Sequence, residues 1–417
     1  MHRTRSRRKA APPDLVALHF PGLSGRIVMT PDPALRAALG DCLAGWIPAS
    51  RPADPGDDAV LAAVSARQGA GGARYHLQSR YLDRPSANLP LASAVCALVA
   101  DLSQNWAESH PDAIGLHCGA LRIGGRLVLL TGRTRAGKST LVTRLGAEPG
   151  VALFCDDVLP VVARDQGEGA GEGIALGIAP RLRLPVPAAS ARLRALARDS
   201  MILSDDRYGY VRLAGQAPHG TRAGLGSILF LDRRAGAPAR LHALDPAEAL
   251  SALLRQTLTG FDSGAEAFER VRALTAEATC LRLVYSDLDE AAALITGLFA
   301  EGGRPPADFA PAPALPPAPA EPFARAVPAD HPFRRAPQAR LRRHGGAAFL
   351  WRPGEAMLWE LNPIGHLLWQ MLETPGSAAD LAEVLAEAFP DVAPDRILQD
   401  TARLLAALEE AGLVRPL

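Results

Sequence analysis

The chain has 417 residues, 48% of them hydrophobic and 21% charged, with 45 basic against 44 acidic side chains for a net charge of +1. That length supports two or three domains with real cores, and the balanced charge excludes a protein recruited to nucleic acid or anionic membrane by its overall field. The five cysteines are scattered with no C-x-x-C pair, so neither a zinc site nor a redox dithiol is expected and a reducing compartment fits them.

In chain order, residues 1–12 form a basic tail that leads into Pro-rich sequence with no apolar signal-peptide core behind it, and no run reaches membrane-span length, so a cytoplasmic, soluble protein is expected. Residues 13–105 alternate short β-like runs with two helical stretches, Pro33 to Trp46 and Leu91 to Glu108, and read as a small α+β subdomain. From residue 106 to 300 the pattern becomes that of an α/β nucleotide-binding domain: two apolar strands around Gly124-Gly125, a helix from Lys138 to about Leu145, then the strand Val151 to Cys155. Helices are expected at Pro246 to Leu258, Ala265 to Ala276 and Leu288 to Ala300. Nine of the thirty residues from Glu301 to Asp330 are proline, a composition for an extended linker. Residues 331–417 read as three short strands and three helices, the helices opened by Asn362-Pro363, by the capping-box pattern Ser377 to Asp380 and by Pro394-Asp395.

The chemistry concentrates near residue 132. Gly132, Arg133, Thr134, Arg135, Ala136, Gly137, Lys138 and Ser139 spell G-x-x-x-x-G-K-[S/T], placed between an apolar strand and a helix that continues through Thr140. In such a loop the backbone N–H groups and the helix N-terminus cradle phosphates, Lys138 reaches the β- and γ-phosphates, and the Ser139 hydroxyl ligates Mg²⁺. Only two lysines occur in the chain, Lys9 and Lys138. A P-loop alone fixes nucleotide binding and not the reaction.

The next strand ends in Asp156-Asp157, where one carboxylate can serve Mg²⁺ and the other an attacking hydroxyl; a polar strand-end turn is the plainer reading. His117 lies fifteen residues before Gly132 at the end of another strand, where it can meet the loop or serve the fold.

Together these residues resemble the HPr kinase/phosphorylase superfamily, whose histidine and Asp-Asp pair flank the P-loop in the same way, and specifically its divergent peptide-biosynthesis members. The resemblance implies ATP and Mg²⁺ as cofactors. It assigns the base to Asp157, its orientation to His117, phosphate binding to Lys138 and metal binding to Ser139; the division of labour read from the adjacent carboxylates adds Asp156 as the one toward Mg²⁺. There are departures: Cys118 separates His117 from Gly119, the spacing from the loop to the Asp pair is one residue longer, and the family's downstream metal-binding Glu has no counterpart in Ala179 to Leu184, where Arg181 or Arg183 contacts phosphates or simply lies in a surface strand.

The C-terminal residues resemble the PqqD family through Leu361-Asn362, Trp369, Leu381, Val384, Asp400 and the ending Leu408 to Val414. This implies a winged-helix domain, residues 331–417, that binds the leader of a precursor peptide as an added strand between its third strand and third helix. A DNA-binding winged helix is the competing reading. Nine arginines against eleven acidic residues in 331–417, and a net acidic third helix, speak against it.

The expected function is a kinase for a Ser or Thr hydroxyl of that peptide. A kinase for a small metabolite or carrier protein, and a non-catalytic ATP-binding scaffold, remain as alternatives. No nucleic-acid or membrane partner is expected, and homo-oligomerisation is left open.

Overall fold

In the computed structural model the described residues are 15–53, 59–69, 72–133, 136–163, 171–187, 190–258, 260–302, 305, 309–312 and 325–417. The basic tail 1–12, Thr134, Arg135 and much of the Pro-rich stretch lie outside them. The chain divides into two compact units, one of residues 1–240 with 283–306, the other of residues 241–282 with 307–417. Residues 241–282, assigned in the sequence to the nucleotide-binding domain, thus group with the C-terminal residues, while 13–105 and 106–240 share the first unit.

The first unit opens with a six-stranded sheet in the order Ala49–Pro52, Val16–His19, Arg26–Met29, Val60–Gly69, Gly72–Ser79, Ser86–Leu89. Its apolar face packs on the helices Pro33–Cys42 and Leu91–Ser109 around Leu18, Ile27, Leu39, Leu77, Val95, Leu98 and Leu102. The first helix starts where the sequence provides a cap, Asp32 accepting from the Leu35 N–H just ahead of Pro33.

The second sheet positions the site. Its hairpin Gly119–Ile123 and Arg126–Thr131 turns at Gly124-Gly125, and Arg222–Arg233 runs parallel to Arg126–Thr131. Glu172–Ile174, Val158–Val162 and Ile114–His117 continue it antiparallel. The α/β reading therefore resolves into a mixed sheet, because the two-residue turn returns the chain beside itself instead of crossing over. Strands Ile114–His117 and Gly119–Ile123 are one run bent at Cys118, and Ala152–Cys155 and Val158–Val162 are another bent at Asp156-Asp157. The two runs pair antiparallel on both sides of their bends. Helix Lys138–Leu145 lies against this sheet, and its Arg144 pairs with Glu148 just beyond its end and with Asp289 of helix Leu288–Phe299, at 2.5 Å each.

In the second unit, Arg340–His344, Ala347–Trp351 and Leu358–Leu361 form one three-stranded sheet, and Gly376–Ser377, Pro332–Arg335 and Val414–Pro416 a second. They enclose helices Pro363–Met371, Ala378–Ala388 and Pro394–Glu410 over a core of Phe333, Leu350, Leu368, Trp369, Leu385 and Leu405. The expected caps form: Asn362 accepts from the Gly365 N–H, and Ser377 and Asp380 close a reciprocal box.

The opposite face of the first of these sheets is covered by helices Pro246–Leu254 and Gly264–Glu277, with Phe268 centred 5.3 Å from Phe349 and 6.2 Å from Trp351. Gly264 permits this approach, since a Cβ there would stand 2.8 Å from Trp351 Cβ. Parts of the proline-rich stretch are also docked in this unit. Ala310 accepts from the Ala243 N–H, Ala312 donates to Ala243, and Val327 is buried in the helical core. The linker expected over all of 301–330 is thus narrowed, because short apolar side chains and free backbone groups find partners there.

Candidate functional site

The bent runs bring two of the sequence-selected residues together. His117 is opposite Val158 in the register, and the Cys118 N–H donates to the Asp157 carbonyl at 3.0 Å, so the histidine and the second aspartate emerge side by side. His117 Nε2 stands 3.3 Å from Asp157 Oδ1. Asp157 is exposed, and the contact with His117, aided by the charges of Arg181 and Lys138, holds its carboxyl below the usual carboxylate range. It is ionised and accessible, as a proton acceptor must be.

Asp156 differs sharply from its neighbour. Only 6% exposed, it accepts the Arg181 N–H at 2.8 Å on Oδ2. Burial, reinforced by the Asp157 charge, pushes its carboxyl up to about 7. At the bend between the two strands the adjacent carboxylates thus meet different surroundings, one turned in and buried, the other turned out and exposed.

The described residues on either side of the loop lead into helix Lys138–Leu145. Gly137 caps helix Lys138–Leu145 at φ +94, a left-handed backbone suited to glycine. Among the described residues the helix has no side-chain cap, and its first turn carries no acid, so its positive end favours an acceptor of negative charge. Lys138 is buried at 8% exposure, with Nζ donating to the Gly132 carbonyl at 3.0 Å. Its burial lowers its pKa against the opposing pull of the Asp157 charge, which places ammonium and carboxylate in one electrostatic field. Ser139 and Thr140 are partly exposed on the first turn. Arg133 and Ala136 are described on either side of Thr134 and Arg135, which lie outside the described residues, and Thr131 Oγ1 donates to the His117 carbonyl at 3.3 Å, linking the strand before the loop to the histidine.

Three contributors escaped sequence reasoning. Tyr285, at the end of Thr279–Tyr285, donates to the Ala136 carbonyl at 2.8 Å. Tyr208 lies under the Arg181 guanidinium, 4.9 Å from ring centroid to carbon, and Cys96 contacts that guanidinium from helix Leu91–Ser109. Arg181, left between two roles by the sequence, is 3.9 Å from Asp157 and braces both aspartates. These partners lie far away in sequence and carry no local motif; only an unusual cluster of side chains around a strand could have signalled them.

Among the described residues no group of three or more His, Cys, Asp or Glu could hold a metal by itself. Ser139, partly exposed on the first helical turn, and Asp156, buried with Oδ2 engaged by the Arg181 N–H, are the residues that could each offer an oxygen to Mg²⁺, an ion that draws most of its ligands from phosphates and water. No helix among the described residues is long and apolar enough to cross a membrane.

With this geometry established, comparison with known proteins supplies the C-terminal assignment. Residues 348–414 match the family described as coenzyme PQQ synthesis protein D, PqqD. The PqqD-like domain coincides with the three-helix core, from Ala348 on the middle strand to Val414. Among solved structures the chain is similar to the Hpr(Ser) kinase/phosphatase from Coxiella burnetii, at 14% identity and a TM-score of 0.22, covering 44% of this chain and 92% of that one. No curated protein matches.

Proposed function

We propose that the protein is an ATP- and Mg²⁺-dependent kinase that phosphorylates a Ser or Thr hydroxyl of a ribosomally made precursor peptide, whose leader its PqqD-like domain captures. The observation that carries the catalytic half is the exposed, ionised Asp157, oriented by His117 and sharing a field with Lys138. The peptide half is supported by the PqqD match and by a sheet edge at Leu358–Leu361 with no strand paired along it among the described residues.

Lys138 exchanges its contact with the Gly132 carbonyl for the β- and γ-phosphates, while the N–H groups at the helix start hold their oxygens. Ser139 and Asp156 would hold Mg²⁺, which when bound neutralises triphosphate charge. The peptide hydroxyl oxygen bonds to the γ-phosphorus as the bond from that phosphorus to the β–γ bridging oxygen breaks, releasing ADP. The hydroxyl proton passes to Asp157, which His117 keeps aligned. Arg181 holds both carboxylates in place and adds positive charge beside the developing phosphoryl.

The deciding experiment incubates the purified chain with ATP, Mg²⁺ and the peptide encoded by the nearest small open reading frame. A mass gain of one phosphate with stoichiometric ADP is expected, and its loss in Lys138→Ala. ADP formation without peptide phosphorylation would move the acceptor to a metabolite or carrier; nucleotide binding without ADP would leave a scaffold.

A further inference from the structure

The sheet Arg340–His344, Ala347–Trp351, Leu358–Leu361 presents two different faces. Ala348, Leu350 and Leu361 point into the three-helix core, whereas Phe349, Leu358 and Glu360 point the other way, toward helices Pro246–Leu254 and Gly264–Glu277. Between this second face and the helices lies a cavity of about 480 Å³, within the range of ~300–1,000 Å³ usual for ligand sites. Its apolar walls are Leu254, Phe261, Ala267, Phe349, Met357 and Leu358. Its polar lining is internally paired: Glu360 accepts from Ser251 at 2.7 Å and from Arg255 at 2.8 Å, and Thr257 donates to the Leu254 carbonyl at 2.8 Å. Met357, 61% exposed, stands immediately before the strand whose outer edge is open.

We propose that this cavity is a specificity pocket for the captured peptide, filled by one large apolar side chain. The inference rests on the capture role stated above and goes beyond it. A strand added along Leu358–Leu361 directs every second side chain to the face that carries Leu358 and Glu360, which is the face the cavity opens beside. Backbone pairing along the edge gives affinity without reading sequence; an apolar hole adjoining that edge supplies the reading. Met357, flexible and polarizable, forms an adaptable lip for it. Leu254, Phe261 and Ala267 lie outside the PqqD-matching residues, so selectivity would be set by helices that the match does not include.

The test selects a displayed library of random 12-residue peptides on the full-length protein, then measures fluorescein-labelled synthetic copies of the selected peptides by polarization. The selected set should share one large apolar position whose change to Ala weakens binding at least tenfold. Ala267→Trp, which fills the cavity, should weaken binding by a similar factor and abolish the additional effect of that Ala change. Met357→Glu alters an exposed residue and guards against a folding defect in the first variant; it should also weaken binding. If selected peptides bind both variants as they bind the parent, the pocket is overturned while capture survives. If no selected peptide binds the parent, both fall. Self-association that Met357→Glu removes, with no peptide selected, would give the face to a second copy of the chain and overturn the proposal.

Discussion

Tyr285 donates its hydroxyl to the Ala136 carbonyl at 2.8 Å, and the same oxygen stands 2.8 Å from where a Cβ on Gly137 would be. One buried phenol therefore fixes the loop from below and reserves the last loop position for glycine. Tyr285→Phe removes a hydrogen bond worth ~1 kcal/mol and should weaken ATP binding about fivefold. Gly137→Ala adds a clash and a left-handed backbone that costs ~1–3 kcal/mol, and should weaken it by more than tenfold. Titration with a fluorescent nucleotide measures both; parent-like affinity in the two variants would separate the brace from the site.

Asp157→Asn keeps the shape of the dyad but cannot take a proton. Peptide phosphorylation should fall about 10²–10⁴-fold with nucleotide affinity retained. His117→Ala should lose less, since it removes orientation and leaves the acceptor. A parallel loss of nucleotide binding in Asp157→Asn would shift the base role toward Asp156.

A separate prediction concerns pH and stability. Asp101 is 6% exposed, accepts from Ser79 at 2.8 Å on Oδ1, and has no hydrogen-bond partner on Oδ2 among the described residues. Burial holds its carboxyl up at about 6, above the ordinary 3.8, with the Ser79 bond pulling weakly the other way. The folded chain therefore binds this proton more tightly than the unfolded one, and its contribution to stability is lost as pH rises from about 4 through 6. Asp101→Asn should stabilise the protein by about 2–3 kcal/mol at pH 7.5 and by little at pH 4, as read from urea unfolding at the two values.

Phe268 tests the grouping of residues 241–282 with the C-terminal domain. It is fully buried against Phe349 and Trp351, so Phe268→Ala should cost ~3–5 kcal/mol in urea unfolding followed by the fluorescence of Trp351, Trp359 and Trp369. A truncation after Gly302 would bare the same ring, and should yield aggregation-prone protein instead of a clean catalytic fragment. A well-behaved truncation would contradict the grouping.

The features legible in the sequence were those written locally. The strand and helix on either side of the G-x-x-x-x-G-K-S motif, the strand ending at Asp156-Asp157, the caps at Asn362 and Ser377 and the strand Ala347–Trp351 each depend on residues a few positions apart. The strand Ala49–Pro52 escaped because it is a fully exposed edge with a terminal proline, lacking the alternation that marks a half-buried strand. Helices Pro246–Leu254 and Gly264–Glu277 were expected in place but given to the wrong neighbour: periodicity reveals an apolar face without naming the layer that covers it. Arg181 could not be assigned for a related reason, since its partners Cys96, Asp156 and Tyr208 arrive from three different elements.

The scarcity of lysine has a practical corollary. Lys138 is the only lysine among the described residues, and Lys9 lies in the N-terminal tail. An acyl-phosphate analogue of ATP would find a single internal amine to acylate, seated where the nucleotide is expected. Covalent labelling followed by peptide mapping thus turns the whole chain into a one-residue occupancy sensor, in which protection by unlabelled nucleotide reads directly as binding, with no engineered tag and no background to subtract beyond the amino-terminal peptide.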